Sequence, residues 1–148
     1  MNAPEWFDRG CKAAHPMDAF TDFWRAFNGL YGTDQTRVTE LARIGQFIQA
    51  HLSPETAGRL LALHPAQVDR LLSRPVVDMR GNGRDTKSSI AGFLLSNDPV
   101  TKIQHLLAVI YQIRCNLEHG QKSLADERDI CLCSNAAPIV AEIVKACL

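Results

Sequence analysis

The chain has 148 residues, 46% of them apolar and 22% charged, and its sixteen Lys and Arg are balanced by sixteen Asp and Glu. That is the size of one domain able to bury a real core. The zero formal net charge excludes a protein that coats nucleic acid by bulk electrostatics, though not one with a small local site.

The opening residues, MNAPEWFDRGCK, carry acids and lack the apolar stretch of a signal peptide. Residues 1–16 are expected to be an N-terminal extension and residues 17–148 the folded domain. In PMDAFTDFWRAFNGLYG, Phe20, Phe23, Trp24, Phe27, Leu30 and Tyr31 recur at steps of three and four, and Gly32 supplies a stop. This stripe is read as core. A second amphipathic helix, capped by Asp34, is expected through Val38, Leu41, Ile44, Ile48 and Leu52. Ser53 and Pro54 open a third, ended by His64 before Pro65, with a turn or two following through Leu72. His51 and His64 read as helix-end residues.

Between Arg74 and Pro99 periodicity fades. RPVVDMRGNGRDTKSS is either a surface loop or a basic strip in which Arg80, Arg84 and Lys87 meet a phosphate backbone; its GNG is no phosphate-binding fingerprint. Asp98 and Pro99 then start a long helix to about His119. SLAD has the spacing of a capping box, a helix through Ile130 to Cys133 follows, and Asn135 and Pro138 suit the start of a last one. No apolar run reaches the roughly 18 residues of a membrane span. Cys11, Cys115, Cys131, Cys133 and Cys147 lack the spacing of a disulfide framework or a metal site. The expectation is an all-α single helical bundle of five to seven helices, cytoplasmic, with reduced cysteines in its core and no metal, cofactor or membrane contact.

On a helical wheel, Ile103, Leu107, Ile110 and Arg114 share one sector. A charge on an apolar face must be paired or must face a polar pocket. Glu118, one turn on, can pair with Arg114. His119 lies about 140° from Arg114 in a regular helix, and a stop at Gly120 would free it to turn. With Asn116, these residues suit phosphate chemistry: a forked permanent cation, an amide, and a side chain that exchanges protons near neutral pH.

The segment LLAVIYQIRCNLEHGQKS resembles the signature of the HEPN superfamily, an Arg-x4–6-His motif with an Asn close behind the Arg; here these are Arg114, Asn116 and His119, followed by Gly120 and Lys122. The aromatic first helix, variable middle and short C-terminal helices are also similar, from about Phe20 onward. The resemblance implies an all-α fold and, in many members, metal-independent endoribonuclease activity at a composite site made by a homodimer; several members act as toxins or in defence against phage. By the same resemblance, His119 would be the general acid or base for attack of a ribose 2′-hydroxyl, Arg114 would stabilise phosphoryl charge, and Asn116 would orient the phosphate or the motif. Lys122 would join Arg80, Arg84 and Lys87 as an RNA contact. Beside RNA and a second copy, an antitoxin or other protein is an expected partner; the competing expectation is a non-catalytic helical module that binds a nucleotide or a protein partner.

Overall fold

The computed structural model describes residues 1–32, 37–119 and 126–148. Asp34, Gly120, Lys122 and Ser123, expected to cap or end helices or to contact RNA, lie outside them. The described residues form eight α-helices: α1 (Ala3–Lys12), α2 (Pro16–Tyr31), α3 (Glu40–His51), α4 (Pro54–Leu63), α5 (Pro65–Leu72), α6 (Lys87–Leu95), α7 (Pro99–His119) and α8 (Glu127–Cys147). The all-α single domain is as expected. Three boundaries are not.

The segment read as an extension folds. Asn2 and Glu5 make a reciprocal capping box at 2.9 and 3.0 Å, and α1 lies on α2 with Gly10 against the Phe23 ring, where a Cβ would come within 2.7 Å. In the weak stretch after Arg74, α6 forms and packs on α7. The expected break in the C-terminal region is absent, and α8 continues through Pro138. Proline removes one helical N–H, here the donor to the Ser134 carbonyl; Ser134 is exposed, so water can serve that carbonyl. Burial of Leu132, Cys133, Ala136, Val140 and Ile143 on both sides of the proline offsets the break. Asp126, read as part of a capping box, is the N-cap itself and accepts from the Asp129 amide at 3.1 Å.

α7 is the central element, with α3, α4, α5 and α6 packed around it, while α1 covers α2 and α2 lies against α8. The aromatic stripe is core, as expected: Phe20 and Phe27 are wholly buried, and Trp24 meets Phe27 edge to face at 5.4 Å. In α3 the N-cap is Thr39, whose hydroxyl accepts from Ala42 N at 3.1 Å. Ile44, Ile48 and Leu52 are buried, but Val38 and Leu41 are exposed. His51 ends α3, stacked on Phe47, and His64 separates α4 from α5. By length and composition alone α8, at 21 residues, could cross a membrane, but half of its most apolar stretch is buried in the fold, as suits a core helix.

Candidate functional site

Asp98 starts α7, its carboxylate accepting from the Thr101 hydroxyl at 2.6 Å and amide at 3.3 Å; the hydroxyl bond holds this carboxyl below its ordinary range. Ile103, Leu107 and Ile110 are buried. One turn later the same face presents Arg114, whose side chain is 22% exposed. Its Nη2 lies 2.8 Å from Glu118 Oε1 and its Nη1 3.4 Å from Glu40 Oε2. The Glu118 pair was legible from spacing. Glu40, 74 residues earlier in the chain, was not.

Glu40 is the hub of this cluster. The Tyr31 hydroxyl donates to its Oε1 at 2.5 Å and the Tyr111 hydroxyl to its Oε2 at 3.2 Å. Burial, and then the Glu40 carboxylate, push the Tyr31 phenol well above its usual range. Burial, and then the neighbouring Cys115 thiol, do the same for Tyr111. Both phenols therefore remain donors near neutral pH. Helices α2, α3 and α7 thus meet on one carboxylate that fixes the Arg114 guanidinium from behind. In front, Arg114, Leu117 and Glu118 face Phe20, Thr21, Trp24 and Arg25 across a cleft of about 200 Å³.

Asn116, two positions on, lies about 200° around the helix from Arg114 and is buried. Its Oδ1 accepts from the Met79 amide at 3.2 Å and from Gln112 Nε2 at 2.9 Å, and its Nδ2 donates to the Val77 carbonyl at 2.9 Å. It pairs with the 77–79 backbone much as a strand would. That loop also carries bonds of its own. Asp78, 2% exposed, takes Arg80 Nη2 at 2.8 Å, Arg80 Nε at 3.1 Å and Asn82 Nδ2 at 3.1 Å. The Arg80 bonds hold the Asp78 carboxyl far below the usual carboxylate range. Gly81 and Gly83, at φ 73° and 77°, turn the chain back to a Val77–Asp85 bridge.

Of the cations expected on this strip, Arg80 is engaged by Asp78, Lys87 stands 4.0 Å from Asp85, and Arg84 is exposed. Of the three, Lys87 lines a cavity of about 610 Å³, together with Arg74, Arg128 and Asn116; Arg114 lines a separate cleft. Since α7 is helical to its last described residue, the exposed His119 remains about 140° from Arg114 and about 60° from Asn116. One chain therefore does not bring Arg114, Asn116 and His119 to a common point.

No family model, curated protein or solved structure matches this chain.

Function must then be read from the side chains. Among the described residues, no group of three or more His, Cys, Asp or Glu is arranged to hold a metal ion. The cysteines are free but, contrary to expectation, mostly not core: Cys133 alone is buried, its thiol pushed up to about 12 by burial, while Cys11 and Cys131 are exposed and Cys115 and Cys147 intermediate.

Proposed function

We propose that this chain is a HEPN-type endoribonuclease that cleaves RNA without a metal, at a site shared by two copies. The observation that carries this reading is the end of α7, where Arg114 is fixed at the lip of a cleft and His119 stands exposed on a different side of the helix. A phosphodiester needs both groups at once, so the second must come from another copy. Exposed apolar side chains flank that helix end: Val38 and Leu41 around the Glu40 turn, and Val77 and Met79 on the loop that Asn116 holds. They suit coverage by a second molecule.

In this site His119 of one copy takes the proton of a ribose 2′-hydroxyl. The 2′-oxygen forms a bond to the adjacent phosphorus as the bond to the 5′-oxygen breaks, and the second copy's histidine gives that oxygen a proton. Arg114 stabilises the charge that grows on the phosphoryl oxygens, while Asn116 serves the motif by holding the 77–79 loop. His119→Ala is expected to abolish cleavage of RNA with helicity and dimerisation unchanged. Cleavage that persists in this variant, or that EDTA removes, would overturn the proposal.

A second reading is favoured by the two carboxylates on Arg114. With its charge already answered, Arg114 would be structural and the chain a helical module that binds a nucleotide or a protein partner. Absence of fragments from total RNA at several protein concentrations would select it.

A further inference from the structure

Two clefts join on the α2 side of the molecule. The cleft lined by Arg114 shares Thr21 and Arg25 with a second, of about 420 Å³, that reaches Arg9 and Lys12 at the end of α1. A trough therefore runs from α1 across α2 to the Arg114 guanidinium.

Its charges are fixed in place. Asp22, 5% exposed, receives Arg9 Nε at 3.3 Å and Arg25 Nη1 at 3.3 Å. One carboxylate shared by two guanidiniums leaves a positive charge in excess, and those side chains are 60% and 50% exposed. Both guanidiniums also lie over the Trp6 ring, 5.5 and 4.6 Å from its centroid. Anchored in this way, they lose little entropy on meeting a phosphate. Lys12 is exposed and has no ion pair among the described residues; the opposing charges are Asp18 near Lys12 and Glu118, paired with Arg114, at the other end.

We propose that this trough is the path of single-stranded RNA, with phosphates passing over Lys12, Arg9 and Arg25 toward Arg114. The inference rests on the ribonuclease reading and adds where the substrate lies. Phosphodiester backbones are held by cations spaced along a groove. A guanidinium stacked on an aromatic ring keeps a second planar face, on which an unpaired base can stack. The cations at Arg80, Arg84 and Lys87 belong to the segment that Asn116 holds, and none of them lines this path.

The test measures binding of a fluorescein-labelled, unstructured RNA oligonucleotide to the full chain carrying His119→Ala, across a range of salt concentrations. Adding Lys12→Glu with Arg25→Gln is expected to weaken binding about tenfold or more and to reduce the salt slope by about 1 to 2, roughly one per lost phosphate contact. Arg84→Glu with Lys87→Glu is expected to change affinity less than about threefold, consistent with distant exposed charges. Lys12→Glu alone, at an exposed side chain, gives a weaker effect of the same sign without touching Asp22. RNA binding that ignores the Lys12 and Arg25 changes, or that fails with the Arg84 and Lys87 changes instead, would overturn the path and leave the ribonuclease reading standing. No RNA binding and no cleavage by the unaltered chain would overturn both.

Discussion

The side-chain amide of Asn116 ties α7 to the loop before α6 through the Val77 carbonyl and the Met79 amide, with Gln112 as a third partner. These bonds are partly buried, so removing the amide leaves two backbone groups short of protein partners. Asn116→Ala is therefore expected to lower unfolding stability by about 1–3 kcal/mol, read as a shift in the urea midpoint, with faster hydrogen exchange at Met79. A residue whose main task were to touch phosphate would instead lose RNA affinity at unchanged stability. Spacing in the sequence correctly placed Arg114 in the sector of Ile103, Leu107 and Ile110 and made Glu118 its available partner. It also placed Asn116 about 200° away, but could not say what stands there. The answer depends on a loop nearly forty residues upstream in the chain, and the hub at Glu40 depends on a helix 74 residues upstream. Local periodicity carries no information on such long-range contacts.

The helices that were hardest to read are those held by neighbours more than by their own pattern. In KSSIAGFLL, Phe93 is the sole buried residue, and Leu94 and Leu95 are 68% and 84% exposed, so no amphipathic stripe announces α6. Its place is set by close approach to α7: Gly92 faces the His105 ring, and Lys102 Nζ donates to the Phe93 carbonyl at 2.7 Å while standing over the Phe93 ring. A Cβ at position 92 would come within 2.4 Å of the imidazole. Gly92→Ala gains helix propensity of up to about 1 kcal/mol, but must displace the ring, at a typical cost of about 1–3 kcal/mol. The expected result is a net loss of thermal stability, abolished when His105 is also replaced by Ala; a stabilised single variant would contradict this packing. The α1 helix was legible, by contrast, in its Asn2–Glu5 box and amphipathic pattern, and only the acids among its residues made it read as an extension. In α8 the reverse holds. Pro138 is a strong local signal for a break, and burial of the residues on both sides overrides it.

At the scale of the whole molecule, a formal net charge of zero conceals a local division of cations. Arg9 and Arg25 share Asp22 on the α2 side, whereas Arg80 is taken up by Asp78 on the other side of α7. Composition could rule out a uniformly basic surface; it could not distribute the remaining charges, because that distribution is set by how helices pack. The same packing holds Arg114 and His119 apart within one chain, which makes the number of copies in the site a measurable quantity. If each site needs a His119 from both copies, an inactive chain will poison an active one. Mixing equal amounts of the unaltered chain and His119→Ala, with time for subunits to exchange, should leave about a quarter of the dimers with two intact histidines by random pairing. Cleavage per total protein should fall to that level, and excess variant should extinguish it further. A fall to about half would mean that each site uses one histidine, from whichever copy. That histidine would then come from the copy opposite the site's Arg114, because a regular helix cannot bring side chains about 140° apart onto one phosphate.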